Sequence, residues 1–237
     1  ESPVEVVRRV TTRLLTEPCL DGITLNPPCR YPFPVTKAWR AERRKDLYYR
    51  KAKREHYRSR ASYKLKQLDF RFALIEPGNT VVDLGASPGG WSQVAVELAG
   101  PGSTVIAVDI DRFSPIEGVT FLRGDIREES VVQRLLEMIP EGADVVLSDM
   151  SPNISGNYSY DHARSVELCE HAFAVAVRVL KPGGDFVAKM FSGDMSKPFT
   201  DSVRRRFEEF HTNHPKASRP SSSEVYVIGL GFRPPRR

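Results

Sequence analysis

Asp83-Leu84-Gly85-Ala86-Ser87-Pro88-Gly89-Gly90-Trp91 is the stretch that decides the fold. The apolar run Thr80-Val81-Val82 precedes it, and a helical pattern from Ser92 to Leu98 follows. A strand that ends in an acidic residue and turns through glycines into a helix presents backbone N–H groups to a nucleotide-like ligand. The glycine spacing is G-x-x-x-G-G rather than the dinucleotide pattern G-x-G-x-x-G, so a tight strand-to-helix turn without a ligand remains the alternative.

Strand and helix patterns alternate along the chain from Thr80. The predicted strands are Thr80–Leu84, Thr104–Asp109, Val119–Arg123, Asp144–Ser148, Asp185–Met190 and Glu224–Leu230. The predicted helices lie near residues 91–99, 128–138, 160–180 and 197–210, and Lys181-Pro182-Gly183-Gly184 is a stop signal for the third. We therefore expect an α/β fold with a mostly parallel sheet, helices on both faces and a ligand crevice at the carboxyl ends of the strands.

Polar residues fall at the ends of the predicted strands, where a parallel sheet gathers its ligand-binding groups. Asp109 stands where an acid can accept hydrogen bonds from ribose hydroxyls, and Asp125 stands where an acid can meet an adenine amino group. Lys189 ends a mostly apolar strand, and a lysine is rarely buried without a partner. Its candidate partners are Asp149 and Glu224. The structural alternatives are helix caps or turns for the acids, and a lysine that reaches solvent.

The net charge of +5 conceals a concentrated basic segment. Between Lys37 and Lys66, thirteen residues are basic and three are acidic, which indicates contact with a polyanion such as RNA. We expect Arg54, Arg58 and Arg60 to hold RNA phosphates. Tyrosines interleave with these charges and can either stack on bases or pack on the domain. They are Tyr48, Tyr49, Tyr57 and Tyr63. A solvated helix face is the alternative for the whole segment.

The 237 residues are enough for one α/β domain and an extension. We divide the chain into an N-terminal extension (1–36), a basic helical RNA-contacting segment (37–72), an α/β domain (73–231) and a basic tail (232–237). No stretch approaches the roughly 18 apolar residues of a membrane span. The three cysteines suit a reducing, cytoplasmic compartment, and Cys169 is expected in the core. Neither cysteines nor histidines have metal-ligand spacing, so we expect no metal, and we expect a monomer.

Several linked motifs resemble those of the FtsJ-type ribosomal RNA 2′-O-ribose methyltransferases. The resemblance covers roughly residues 45–231 in the same order and leaves residues 1–40 outside. The motifs are the Asp83–Trp91 stretch, Arg58-Ser59-Arg60-Ala61-Ser62-Tyr63-Lys64-Leu65, Ser148-Asp149-Met150-Ser151-Pro152-Asn153, Val187-Ala188-Lys189-Met190-Phe191 and Ser223-Glu224-Val225-Tyr226.

The resemblance implies a Rossmann-like, S-adenosylmethionine-dependent methyltransferase fold, with residues 73–231 as the methyltransferase domain. It places the family's catalytic tetrad on Lys64, Asp149, Lys189 and Glu224. It places the cofactor contacts on Gly89, Trp91, Asp109, Asp125 and Asp149. The implied substrate is RNA, foremost the uridine in the A-loop of large-subunit ribosomal RNA within assembled particles.

The implied reaction is in-line transfer of a methyl group to a ribose 2′-hydroxyl, with Lys189 as general base. A free lysine is almost fully protonated near neutral pH, so an alternative is that Lys189 stays charged and only orients the hydroxyl. The tRNA anticodon loop and the mRNA cap ribose are alternative substrates. A non-catalytic ribosome-assembly factor and a nicotinamide-dependent oxidoreductase are the readings from other classes.

Overall fold

The computed structural model describes residues 46–219 and 222–234, and a seven-stranded sheet forms its centre. The N-terminal extension, residues 37–45 of the basic segment and residues 235–237 of the basic tail lie outside the described residues. The strands are β1 (Thr80–Leu84), β2 (Thr104–Asp109), β3 (Val119–Arg123), β4 (Ala143–Ser148), β5 (Leu180–Phe191), β6 (Phe207–Asn213) and β7 (Glu224–Phe232). Their order across the sheet is β3-β2-β1-β4-β5-β7-β6.

The first five strands are parallel, as expected, whereas β7 runs antiparallel to β5 and β6 runs antiparallel to β7. All six predicted strands are present. The seventh, β6, was missed because residues 197–210 were predicted to be one helix. That prediction is wrong beyond Arg206, where the chain turns into a strand that pairs with the outer edge of β7. Phe207 is buried against Phe186 and Phe232, and this packing favours the strand.

Six helices occur in the described part of the chain, and they pack on both faces of the sheet. They are α1 (Leu47–Arg54), α2 (Ser62–Phe72), α3 (Gly90–Ala99), α4 (Glu129–Met138), α5 (Tyr158–Val179) and α6 (Ser196–Arg206). One buried cluster joins α2 and α3 to the sheet, and a second joins α4, α5 and α6 to its other face. Cys169 lies in the second cluster, where burial raises the pKa of its thiol to about 12, so it is a core residue.

The described part of the basic segment contains two helices rather than one continuous helix. The chain leaves α1 at Glu55, and His56 has a positive φ of 60°, which interrupts the helical path. Tyr63, only 4% exposed, packs against Tyr48 and Tyr57 with ring centroids 5.6 Å away in both cases. These three tyrosines therefore pack on the domain, which was one of the two expectations for them.

The glycine turn after β1 has a conformation and a packing that require glycine. Gly85 and Gly89 have φ values of 72° and 97°, a region that other residues rarely adopt. A Cβ atom on Gly85 would lie 2.1 Å from Cγ of Met150, and one on Gly89 would lie 2.7 Å from Cδ1 of Ile116. Gly89 caps α3, so the turn directs the first N–H groups of that helix to the carboxyl edge of the sheet.

Candidate active site

The carboxyl ends of β4 and β5 and the start of β7 bring four polar residues together. Asp149 directly follows β4, and Lys189 lies near the end of β5. The antiparallel pairing places Lys189 opposite Tyr226 of β7. Because alternate residues of a strand share a face, Glu224 lies on the same side of β7 as Tyr226. The register between β5 and β7 therefore assembles the site.

Asp149 holds the ammonium group of Lys189 through two contacts. Lys189 Nζ donates to the backbone carbonyl of Asp149 at 2.7 Å, and it lies 3.2 Å from Oδ1 of the same residue. Lys189 is only 8% exposed. A buried amine with two fixed oxygen partners has little freedom to rotate away, so its nitrogen keeps one direction in the crevice. The alternative of a lysine that reaches solvent does not describe this side chain.

Tyr226 is a site residue that sequence reasoning quoted in a motif but gave no role. Its hydroxyl donates to Oδ1 of Asp149 at 2.6 Å, and its ring stacks on Trp91 with a centroid distance of 5.6 Å. It is fully buried. The available signal was its position two residues after Glu224 in a predicted strand, since that spacing places both side chains on one face.

Lys64 reaches the site from α2 and pairs with Glu224. Lys64 Nζ lies 2.7 Å from Oε1 of Glu224, and both residues are 8% exposed. The same ammonium lies 5.7 Å from the centre of the Tyr226 ring. The structure thus brings all four predicted catalytic residues into two buried ion pairs that share Tyr226 as a neighbour.

The charges around Asp149 decide its ionisation. Burial disfavours the carboxylate, but Lys189, Lys64 and the hydroxyl of Tyr226 outweigh it, so the pKa of Asp149 is lower than usual. The group therefore stays negative throughout the neutral range. A permanently charged carboxylate between two lysines can fix their positions and can stabilise a positive charge that develops nearby.

Four of the five predicted cofactor contacts lie on the neighbouring part of the same edge, in the turn after β1 and at the ends of β2 and β3, and the fifth is Asp149 after β4. The N–H of Ser87 in the glycine turn donates to Oδ2 of Asp109 at 2.8 Å. The N–H of Gly124, just before Asp125, donates to the backbone carbonyl of Asp109 at 3.0 Å. Burial raises the pKa of Asp109. The side chain of Asp125 instead faces Arg127, whose guanidinium holds the pKa of that carboxyl below its usual range.

Trp91 has its side chain inside the domain. The residue is 3% exposed, and its indole N–H donates to the carbonyl of Ala61 at 2.9 Å. Ser62 Oγ in turn donates to the carbonyl of Gly90 at 2.9 Å. The ring therefore docks α2 on α3 and supports Tyr226, and the part of Trp91 that faces the glycine turn is its backbone at the start of α3.

Asp83 lies beneath the site, at 1% exposure in β1, and accepts a hydrogen bond from Ser92 Oγ at 2.6 Å. Burial raises its pKa to about 7, and the nearby charges of Asp149 and Asp109 act in the same direction. The influence of both carboxylates on one buried group indicates that the catalytic and cofactor parts of the edge are neighbours.

Two of the arginines expected at RNA phosphates make contacts within the protein. Arg58 donates to the carbonyls of Pro88 at 3.3 Å and Pro115 at 2.7 Å, and also to that of Ser114. Arg60 pairs with Asp46. Arg58 therefore connects the glycine turn to the loop after β2, and Arg60 connects to the residue before α1. The expectation that both bind RNA phosphates is not supported. Arg54 has 75% of its side chain exposed and remains a candidate for phosphate contact.

Within residues 46–219 and 222–234, no group of three or more His, Cys, Asp or Glu residues is arranged to hold a metal ion. In the same residues, no helix is long and apolar enough to cross a membrane.

A glycine turn, an acidic residue at the end of β2 and a buried Lys–Asp–Lys–Glu cluster on one sheet edge define a Rossmann-like methyltransferase. The FtsJ-like methyltransferase family matches residues 57–232, so the chain belongs to this family. The family implies the use of S-adenosylmethionine and a role as an RNA methyltransferase.

Named relatives are similar over most of the chain. A ribosomal RNA large subunit methyltransferase E from Methanosarcina mazei is 50% identical over 193 residues, covering 81% of this chain and 71% of the relative. The protein of the same name from Archaeoglobus fulgidus is 50% identical over 192 residues, covering 80% of this chain and 97% of the relative. A crystal structure described as a Plasmodium falciparum ribosomal RNA methyltransferase has a TM-score of 0.66 and 29% identity, covering 74% of this chain and 98% of that one.

Proposed function

We propose that the protein transfers the methyl group of S-adenosylmethionine to a ribose 2′-hydroxyl of large-subunit ribosomal RNA, with the A-loop uridine as target. The observation that carries the proposal is the buried Lys64–Glu224 and Lys189–Asp149 pairs on the sheet edge beside the glycine turn. Two relatives carry names that specify the large ribosomal subunit. The proposal also keeps the expectations of a monomer and of a cytoplasmic location, the latter favoured by the small number of cysteines.

The residues at the ends of β1 to β3 fit the cofactor by their chemistry. The N-terminus of α3 begins at Gly89 and offers N–H groups that have no partner within the helix, as an anion- or nucleotide-binding helix end does. Asp109 offers a carboxylate at the position that accepts ribose hydroxyls in Rossmann-like folds. We propose that Gly89, the backbone of Trp91, Asp109, Asp125 and Asp149 hold the cofactor, which supplies an electrophilic methyl group on a sulfonium.

The chain's own contribution to the reaction is to position the hydroxyl and to receive its proton. Lys189 Nζ is directed by the two oxygens of Asp149, so a 2′-hydroxyl placed beside it meets a nitrogen of fixed position. We propose that Lys189 acts as the general base in its neutral form. Glu224 holds Lys64 in an ion pair, and the positive charge of Lys64 helps to keep Asp149 ionised.

Lys189→Arg distinguishes a base from an orienting cation, because a guanidinium keeps the charge and does not lose a proton. We expect kcat to fall by about 10²-fold or more. Affinity for S-adenosylmethionine, measured by calorimetry, should stay within a few-fold of the wild type and serves as the control for folding. Substantial turnover by the arginine variant would replace the base with an orienting role.

The substrate is tested with labelled S-adenosylmethionine and two RNA sources that lack the modification, namely large ribosomal subunits and total tRNA. The proposal predicts label on large-subunit ribosomal RNA that disappears in Lys189→Ala. Label on tRNA alone would overturn the substrate but keep the chemistry. No label on either, despite binding of S-adenosylmethionine, would favour a non-catalytic role in ribosome assembly.

A further inference from the structure

Tyr158 is an exposed aromatic residue that is held in place beside the active site. It is 60% exposed and is the first residue of α5, shortly after the loop that leaves β4 and Asp149. Its hydroxyl donates to the carbonyl of Ser192 at 2.5 Å. Because Ser192 directly follows β5, Tyr158 links the loop after Asp149 to the loop after the strand that carries Lys189.

His162, one turn further along α5, supports the Tyr158 ring. The two rings are nearly parallel, at 14°, with centroids 6.3 Å apart. His162 is 1% exposed; its Nδ1 lies 3.0 Å from the carbonyl oxygen of Phe191, and its Nε2 accepts the N–H of Met195 at 3.2 Å. These two bonds fix the imidazole between α5 and the loop after β5. The tyrosine ring is thus held both through its hydroxyl and by stacking on an imidazole that two hydrogen bonds keep in place.

The position of this ring suits a nucleotide next to the reacting one. Ser192 is three residues beyond Lys189, about 10 Å along an extended strand. The carbonyl that anchors the Tyr158 hydroxyl is therefore near enough to Lys189 for one RNA strand to reach both. Ile154 and Met195, exposed by 62% and 41%, are further apolar residues in the same two loops.

We propose that Tyr158 is a stacking platform for a base of single-stranded RNA beside the methylated ribose. The inference rests on the proposed function, because that function places a ribose at Lys189. Aromatic side chains bind unpaired bases through their π faces. A ring that is already fixed loses little conformational entropy on binding. Less of the stacking free energy is therefore offset, and the affinity for the base is higher.

The test uses an RNA stem-loop that contains the A-loop uridine and carries 2-aminopurine at the nucleotide before or after it. Stacking on tyrosine quenches the fluorescence of 2-aminopurine, and titration gives the affinity. We expect Tyr158→Ala and Tyr158→Leu to weaken RNA binding about 5- to 150-fold and to abolish the quenching. Tyr158→Phe keeps the ring and should bind within about threefold of the wild type.

Tyr160→Ala is the matched control. Tyr160 is 53% exposed in the same helix, but two residues along an α-helix point to nearly opposite sides. We expect this variant to bind RNA as the wild type does. Affinity for S-adenosylmethionine and the thermal midpoint of unfolding verify that each variant is folded. If Tyr158→Ala does not fold, the comparison of Tyr158→Leu with Tyr158→Phe still tests whether the ring stacks on a base.

Wild-type affinity and quenching in both Tyr158→Leu and Tyr158→Ala would overturn the inference. Equal losses in the Tyr158 and Tyr160 variants would also overturn it, because the effect would not be specific to the supported ring. The assay measures binding rather than methyl transfer. An enzyme that methylates no ribosomal RNA would therefore contradict the proposed function, while the stacking result could still be read by itself.

Discussion

Asp149 is the residue on which the polar groups of the site converge. Lys189 contacts both the backbone carbonyl and the carboxylate of Asp149. The Tyr226 hydroxyl donates to Oδ1 of Asp149, which is also the carboxylate oxygen that Lys189 contacts. Lys64 acts on it from a greater distance and helps to keep its pKa low. The ammonium group of Lys189, the proposed general base, therefore has a fixed direction only as long as Asp149 itself is held, and we expect Tyr226 to have a positioning role.

Tyr226→Phe tests this positioning role. The substitution removes the hydroxyl that donates to Asp149 at 2.6 Å but keeps the ring that stacks on Trp91. Hydrogen bonds to charged groups contribute about 1.5–3 kcal/mol, so we expect kcat to fall about tenfold or more, with affinity for S-adenosylmethionine little changed. Methyl-transfer kinetics with saturating cofactor measure the effect.

Tyr63→Phe is the control for that variant, since it removes a hydroxyl that donates to Glu55 at 2.7 Å away from the site. Its kcat should equal that of the wild type. A Tyr226→Phe enzyme with unchanged kcat would contradict the positioning role.

Asp83 gives a prediction about stability and pH. Its pKa is raised by burial to about 7, whereas an unfolded aspartate has a value near 3.8. The folded state therefore keeps a proton between about pH 4 and pH 7 that the unfolded state has lost, and the free energy of unfolding falls as the pH rises through this window. The loss from this group is on the order of 4 kcal/mol at most. Urea unfolding at several pH values measures it.

Asp83→Asn should flatten this pH dependence. Burial also raises the pKa of Asp185, to about 6, so Asp185→Asn should remove a share confined to about pH 4 to pH 6. The two variants therefore differ in the pH range that they affect. If the free energy of unfolding of Asp83→Asn fell with pH as steeply as that of the wild type up to pH 7, a group other than Asp83 would cause the pH dependence.

At the scale of elements, the junction between α1 and α2 connects the basic segment to the cofactor loops. Arg58 lies in this junction and donates to carbonyls of the glycine turn and of the loop after β2. Its guanidinium also lies 5.6 Å from the Phe113 ring. A basic residue of the segment that was expected to contact RNA thus holds the loops of the proposed cofactor site.

Arg58→Ala and Arg54→Ala are a matched pair that separates these roles. Arg58→Ala releases three carbonyls, and we expect about tenfold weaker binding of S-adenosylmethionine with an unchanged salt dependence of RNA binding. Arg54→Ala removes an exposed charge, so cofactor binding should be unchanged, and the slope of log affinity against log salt should fall by up to about 0.7. Calorimetry and RNA titrations at several salt concentrations measure both. Unchanged cofactor affinity with a smaller salt slope in Arg58→Ala would instead show that Arg58 contacts RNA phosphates.

The element scale also shows where sequence reasoning succeeds. Buried strands such as Val105–Val108 are marked by apolar runs between turns, and strand ends such as Asp149 are marked by polar residues, so both could be predicted locally. The register that places Lys189 opposite Tyr226 depends on an antiparallel pairing between distant segments, which no local pattern encodes. Strand β6 was missed for the same reason, because the edge of β7 rather than the sequence around Phe207 provides its hydrogen-bond partners.

For the molecule as a whole, several strand ends and one helix contribute to the proposed site. The glycine turn and the ends of β2 and β3 carry four of the five proposed cofactor contacts. Asp149 after β4, Lys189 of β5 and Glu224 of β7 form the proposed catalytic pairs together with Lys64 of α2. The sequence pattern predicted only that polar residues at the strand ends gather on one edge of an α/β sheet, and the assignment of residues to cofactor or catalysis is what the resemblance implied. The sequence did not predict that Arg58 and Arg60 make internal contacts. Their partners, such as Pro115 and Asp46, come close to them only in the folded chain.

The most direct test of the central claim is the chemical position of the transferred methyl group. Ribosomal RNA labelled by the wild-type enzyme is digested completely with alkali, which needs a free 2′-hydroxyl to cleave the following phosphodiester. Methylation of the ribose predicts that all label remains in an alkali-resistant dinucleotide, and that Lys189→Ala gives none. Label recovered in mononucleotides would place the methyl group on a base and contradict the account.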